Sequence, residues 1–336
     1  MYNKGWGIMN VLLNLDWLEL VLSSAGTPTL QDRDGFKFSN TFKPHETNGF
    51  TKCNVITFEN QAFAKLYSCP SARLLYKERN TLVLQLENES LYRKGIVESQ
   101  IHKFLDEYNL NLCGIKELHV ALDGIGLIKR HNQFFNREDQ RRKRNVKLSN
   151  FIDDKSKEIT GVTLGSRKSD KFVAMYNKSK EIEFSRKMYI REYWKNNGLD
   201  TTKEIDRVEL RLKRSELKGL ELEFSKLADI NYLASLFKAK TDGYLNFINQ
   251  FDKSTMSLID WDLFNLTEIK REKLVKYQRP TQAVKTTIKT LFLEHLSSKS
   301  EIAREMAECL AKKYALEVWY WSTQGRWLLE YPRYKD

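Results

Sequence analysis

Two stretches of this chain alternate polar and apolar residues with a period of two, and no other feature restricts the architecture so much. In KELHVALDGIG (116–126) His119, Ala121 and Asp123 fall on one side of an extended strand, and in DRVELRLKR (206–214) Arg207, Glu209 and Arg211 do the same. Between them EITGVTLGS (158–166) and KFVAMYNKSKEIE (171–183) read as a hairpin, closed by a turn from Arg167 to Asp170. A sheet built from these strands carries several polar side chains on one of its sides, which is either a solvated face or a site.

The flanking sequence supplies more strands and then helices. NVITF (54–58), ARLLY (72–76) and TLVLQLE (81–87) are β-rich, and SLYRKGIVESQIHKFLDEYNLN (90–111) spaces its apolar residues as a helix does. SRKMYIREYWKNN (185–197) reads as a helical insertion. Beyond Arg214 the text turns helical, in SELKGLELEFSKL, INYLASLFKAKTDGYLNFI and SKSEIAREMAECLAKKYALEVWYW. Ser298 with Glu301 resembles a capping box for the last helix, in which Ile302, Met306, Leu310 and Tyr314 recur at four-residue spacing. The expectation is an α+β protein: a central antiparallel sheet with helices on one face over residues 1–214, and a mainly helical region over 215–336.

Charge then narrows the partners. Lys and Arg exceed Asp and Glu by enough to give +12 at pH 7, and the sequence pI is about 9.3, so a polyanion is a natural ligand. The densest basic run, KRHNQFFNREDQRRKRNVK (129–147), sets eight Lys or Arg against two acids and is expected to be an exposed loop or short helix. Cys53, Cys69, Cys113 and Cys309 are far apart and form no metal-binding or disulfide pattern, which suits a reducing cytoplasm. Neither a signal peptide nor a membrane-spanning stretch is evident, since the apolar start reaches Asp16 and Glu19 first.

Three of the strands bring together His119 with Asp123, Tyr176 with Lys178, and Glu209 with Arg207 and Arg211. An imidazole and two carboxylates suit a divalent cation such as Mn²⁺ or Mg²⁺. Beside such an ion a tyrosine hydroxyl can attack a phosphodiester while Lys and Arg neutralise the charge that builds up. Plainer readings stand next to this one. Tyr176 is one of fifteen tyrosines, and strands favour tyrosine for packing. His119 can be a satisfied buried histidine, and Glu209 an ion-pair partner on a wet face.

The order of these segments resembles the trans-acting replication initiators of small rolling-circle plasmids, with relatives among conjugative relaxases and filamentous-phage replication proteins. The features that carry the resemblance are the strand ELHVALD (117–123), the glycine-containing GVTLGSRKSD (161–170), the Tyr-Asn-Lys strand KFVAMYNKSKE (171–181) and the Arg-Val-Glu strand DRVELRLKR (206–214). It is strong over 116–214, reaches weakly back to DWLELVL (16–22), and ends by about residue 220. Departures are visible: Ala174 stands where an arginine is usual, Glu117 and His119 where an Arg-hydrophobic-Asp pattern is, and Gln85 where an earlier strand usually gives a glutamate.

The resemblance implies a permuted fold similar to the His-hydrophobic-His nickases, with 116–214 its motif-bearing part. It implies that Tyr176 cuts one strand of origin DNA, forming a 5′-phosphotyrosine and freeing a 3′-hydroxyl primer. Lys178 assists at the tyrosine, while Glu209, with His119 and Asp123, holds the cation. Arg167, Lys168, Arg207, Arg211 and Lys213 are expected to meet DNA near the site, and Arg141, Arg142, Lys143 and Arg144 to meet its phosphates. A single Tyr-Asn-Lys tyrosine implies a homodimer, whose second copy ends the cycle. A host helicase and DNA polymerase are the further partners, and no membrane is involved. Two rivals remain in view: a relaxase for conjugative transfer, and a non-catalytic DNA- or RNA-binding protein on the same fold. Tyrosine recombinases are disfavoured, because none of the histidines begins a His-x-x-Arg motif.

Overall fold

The computed structural model describes residues 11–24, 30–40, 50–70, 81–95, 98–152, 158–220, 224–269, 282–298, 300–313, 317–321 and 326–330. Strands β1 (Val11–Ser24), β2 (Phe36–Asn40), β3 (Phe50–Phe58), β4 (Gln61–Pro70) and β5 (Thr81–Leu86) come first. Helices α1 (Asn88–Lys94) and α2 (Glu98–Glu107) lead to the long strand β6 (Leu110–Ile125). Next come α3 (Leu127–Phe135), β7 (Gln140–Arg142), β8 (Leu148–Ile152) and the hairpin β9 (Ile159–Leu164) and β10 (Lys171–Asn177). Helices α4 (Lys178–Ser185) and α5 (Met188–Asn196) precede β11 (Ile205–Lys213), followed by α6 (Arg214–Leu217), α7 (Phe224–Ala228), α8 (Ile230–Thr241), β12 (Asn246–Asn249) and β13 (Thr255–Ser257). The last elements are α9 (Gln282–Ser298), α10 (Glu301–Lys313), β14 (Glu317–Trp321) and β15 (Arg326–Glu330).

Ten of these strands make one sheet in the order β2-β3-β4-β5-β1-β6-β11-β10-β9-β8, with every neighbouring pair antiparallel. The protein is therefore α+β, built on an antiparallel sheet. Period-two patterning divides the sheet's faces. Leu13, Leu15, Leu18 and Leu20 of β1 join Leu118, Val120 and Leu122 of β6 and Val208, Leu210 and Leu212 of β11 in one large core, which α2, α3, α7 and α8 cover. On the opposite face α1, α4 and α5 cover one end only, in a smaller cluster of Tyr92, Ile182, Ile190, Trp194, Leu199 and Ile205. Asp123 and Arg207 lie beneath that cover, while Asp16, His119, Glu209 and Arg211 lie on the same face.

Several local expectations are revised. The strand expected over 171–183 ends at Asn177, because the Asn177 side chain accepts from the Lys180 backbone N–H at 2.9 Å and so caps α4. The helix expected over 90–111 breaks at Gly95, whose φ of 68° ends α1. Helix α3 and strand β7 take up part of the basic run 129–147. Helix α10 is capped by Ser300, which accepts from Ala303 N at 3.3 Å, and not by Ser298, whose hydroxyl donates back to Glu294 O in α9. Ile302 and Met306 are exposed there, while Ala303 and Ala307 are buried. ARLLY (72–76) and Tyr314 lie outside the described residues.

The chain forms two compact units, Met1–Glu272 and Lys273–Asp336. The division expected at 214/215 falls inside the first, where Leu233, Leu236 and Phe237 of α8 belong to the same core as β1. The region after Arg214 also contains four strands among its described residues, β12 to β15.

Candidate active site

A bulge in β1 shapes the site. Leu15 pairs with Val120 and Trp17 with His119, so Asp16 is an extra residue in the ladder. Leu15 and Leu18 remain in the core while Asp16 and Trp17 both turn to the polar face. The Trp17 ring stacks on His119, centroids 5.7 Å apart and planes 19° from parallel. Strand β11 contributes Glu209 from the far side of β6, and β10 contributes Tyr176 from one strand beyond, opposite Arg207 and Gly161.

Asp16, His119 and Glu209 thereby offer donor atoms that all lie within 4.8 Å of one another. Tyr176 Oη donates to Glu209 Oε2 at 2.9 Å. His119 Nε2 lies 2.8 Å from Glu117 Oε1, and its Nδ1 lies 3.2 Å from Glu209 Oε1. With the Nε2 proton given to Glu117, Nδ1 turns a lone pair toward a carboxylate oxygen, an arrangement that needs either a second proton or a cation. The 3.2 Å separation is close to the edge of an octahedron of about 2.1 Å radius, roughly 3 Å. Glu117 meanwhile holds the ring in the way second carboxylates orient metal-bound histidines. The bonds that the Asp16 carboxylate accepts, from Tyr92 at 2.8 Å, Arg207 at 2.7 Å and Asn88 at 3.3 Å, all fall on Oδ1, which leaves Oδ2 for an ion. The residues fit a hard divalent cation.

The local charges agree. Burial alone would raise the Glu209 carboxyl, but the bond from His119 and the Arg211 guanidinium hold it far below the usual range. Burial likewise opposes ionisation of Asp16, and Arg207 overcomes it, so this carboxyl too lies below its ordinary value. Burial disfavours a charged His119, yet its bonds to Glu117 and Glu209 raise it. Burial and the Glu209 carboxylate push the Tyr176 hydroxyl well above its ordinary value. Lys178 is buried, pairs with Glu181, and stands 5.6 Å over the Tyr176 ring; burial and Arg207 lower its ammonium.

Asp123 does not join the expected ligand set. It shares the face of His119, but four residues along a strand is about 13 Å, and helix α5 covers it there. Its carboxylate accepts from Trp194 Nε1 at 2.7 Å and from Arg207 at 2.6 and 2.7 Å. Asp16 takes its place beside His119 and Glu209. Arg207, expected to bind DNA, has no exposed surface: its guanidinium is spent on Asp123, Asp16 and the Tyr92 hydroxyl. Arg142 is also committed, with its head group bonded to Tyr244 O and His131 and lying 5.1 Å over the Phe247 ring, where burial brings it down to about 10. Gln85 accepts from Tyr67 Oη at 3.0 Å and lies on β5 opposite Glu19.

Other cations remain accessible. Arg211 bonds Glu209 at 2.7 Å and keeps 39% of its side chain exposed. Lys213 Nζ donates to Lys168 O at 3.0 Å, which ties β11 to the turn where Arg167 and Lys168 are exposed. Arg141 and Arg144 are exposed as well, and Lys143 pairs with Asp242 at 3.0 Å. Among the described residues no helix is long and apolar enough to cross a membrane.

No family model and no curated protein matches the chain. Among solved structures it is similar to a rolling circle replication initiator protein from Geobacillus stearothermophilus, with a TM-score of 0.42 and 16% identity over 77% of this chain and 93% of that one. An overlap this loose carries no argument about the site.

Proposed function

We propose that the protein is a metal-dependent DNA-nicking and strand-joining enzyme, with Tyr176 as its nucleophile, and that it initiates rolling-circle replication. One observation carries the reading: the Tyr176 hydroxyl bonds Glu209, which stands with Asp16 and His119 in the only group of potential metal-ligating side chains found among the described residues. Burial and Glu209 hold the Tyr176 hydroxyl away from its reactive form, and a cation on the three ligands would offset that. The net charge of +12 and the exposed Arg167, Lys168 and Arg211 suit a polyanionic substrate.

Asp16, His119 and Glu209 would hold the cation. When bound, a divalent ion supplies Lewis acidity toward a phosphate oxygen and lowers the cost of a phenolate beside it. Glu209 orients Tyr176 Oη, and Trp17 and Glu117 orient the His119 ring. As Oη bonds to phosphorus, the bond from phosphorus to the 3′ oxygen breaks; the proton lost by tyrosine is balanced by the one the 3′ oxygen gains. The 5′-phosphotyrosine keeps the bond energy, so the strand can be rejoined. Lys178 and Arg211 offset the phosphate's charge from beside the ring and from the exposed edge. A homodimer of this chain, origin selection by residues 215–336, and work beside a host helicase and polymerase complete the proposal.

The test is to incubate supercoiled DNA carrying the gene's own flanking sequence with wild type and with Tyr176→Phe, in Mn²⁺ or in EDTA. Nicked circles and a 5′-linked covalent adduct are expected for wild type in Mn²⁺ alone. Nicking that survives Tyr176→Phe would move the nucleophile elsewhere, and binding with no nicking at all would favour a non-catalytic protein.

A further inference from the structure

A cleft of about 650 Å³ opens between α1 and α5, beside the candidate site. Its volume lies within the roughly 300–1,000 Å³ of sites that take small organic groups. Tyr92, Tyr189 and Tyr193 line it with Asn14, Asn196 and Asn197. The Tyr193 and Tyr92 rings meet edge to face, centroids 5.2 Å apart at 87°, and the Tyr189 ring stands 5.9 Å from Tyr92. Asn14 brings a polar atom with no use inside the fold, since its Nδ2 is buried without a hydrogen-bond partner among the described residues.

We infer that this cleft receives one unstacked nucleobase of the single strand presented to Tyr176, and that it sets nucleotide preference beside the nick. This rests on the function proposed above. Three features favour a base. Aromatic walls with side-chain amides are what proteins use to hold a splayed base, stacking its face and bonding its edge. The charged side chains of the lining are Arg93 and Glu192, one of each sign; a phosphate subsite would gather cations instead. The cleft is also wired to the metal-ligating group: Tyr92 Oη bonds Asp16 Oδ1 at 2.8 Å, and Tyr189 Oη bonds Asn88 Oδ1 at 2.6 Å, while the Asn88 amide donates to the Asp16 carbonyl. Asn14 and Asp16 are two residues apart on one face of β1, about 7 Å, a span that one extended nucleotide covers.

The test uses the full chain in EDTA, so that no strand is cut, and compares fluorescein-labelled oligothymidylate with an oligomer of the same length and backbone whose nucleotides are abasic. Wild type is expected to bind the thymidylate more tightly by about fivefold or more. Tyr193→Ala should lose about tenfold for the thymidylate and nothing for the abasic oligomer, and Tyr193→Phe should retain the preference. Free thymidine monophosphate should not displace the strand. If Tyr193→Ala weakens both oligomers equally, or neither, the subsite is refuted while nicking by wild type still upholds the proposed function. Displacement by the free nucleotide, with the two oligomers bound equally, assigns the cleft to a small molecule and overturns the inference. If wild type binds neither oligomer and nicks nothing, the proposed function falls first and the inference with it.

Discussion

Arg207 and Arg211 sit four residues apart on the same face of the same strand, yet they do opposite work. Arg207 is fully enclosed between Asp123 and Asp16, whereas Arg211 reaches over Glu209 with its outer part in solvent. Removing one member of a buried ion pair strands the other's charge, at about 3–5 kcal/mol; removing Arg211 costs less, because buried Glu209 keeps His119 and the Tyr176 hydroxyl beside it. Arg207→Met should therefore lower the urea midpoint strongly, and Arg211→Met should lower it less while weakening DNA binding. Equal midpoints for the two variants would show that the enclosed pair is not what holds this end of the sheet. Strand alternation made the shared face of His119, Asp123, Arg207, Glu209 and Arg211 legible. It did not say which end of that face a helix covers, so a structural arginine and carboxylate passed for site residues. Asp16 escaped for a different reason. Period-two patterning assumes an unbroken ladder, and the extra residue in β1 turns Asp16 and Trp17 to the same side; the only trace in the text is two adjacent polar-face residues between Leu15 and Leu18.

At the scale of elements, the joints between strand and helix explain why the site sits where it does. Asn177 ends β10 and caps α4 in one step, which leaves Tyr176 at the open end of its strand. A comparable joint holds α3, where Asp206 of β11 accepts from the Ile128 N–H at 3.0 Å. Burial outweighs that bond and lifts the Asp206 carboxyl from 3.8 to about 6. A raised carboxyl means that the folded chain binds this proton more tightly than the unfolded one. Its contribution to stability is therefore fully present below about pH 4 and is lost as pH rises through about 6. Asp206→Asn keeps an oxygen for Ile128 and removes the titration. The variant should be more stable than wild type at pH 7, by roughly 3 kcal/mol at most, with the advantage gone at pH 4. Urea melts at the two values check this, and an advantage that persists at pH 4 would assign the effect to packing. None of this was legible beforehand, because DRVELRLKR shows a charged residue at 206 and gives no hint of the helix start placed over it.

For the whole molecule, the change of texture near Arg214 is genuine but marks no boundary. The leucines of β1 and β6 need a cover, and the chain supplies much of it after Arg214: Phe224, Leu227, Leu233, Leu236, Phe237 and Trp261 are buried in the same core as Leu13, Leu18 and Val120. Truncating one such side chain costs about 2–5 kcal/mol, and a domain's whole margin is about 5–15 kcal/mol, so losing this layer cannot be tolerated. A chain stopped at Arg214 should then fail to fold, although it contains every residue of the candidate site. One stopped at Glu272 keeps the full cover and should melt cooperatively, within a few degrees of the whole protein, with its ability to cut single-stranded DNA intact. If residues 273–336 carry the proposed origin selection or pairing of copies, the same fragment should nick its own origin no better than unrelated DNA, or sediment as a monomer. Folding of the shorter fragment with full activity would return the boundary to 214/215 and reduce α7 and α8 to ornaments on a self-sufficient sheet.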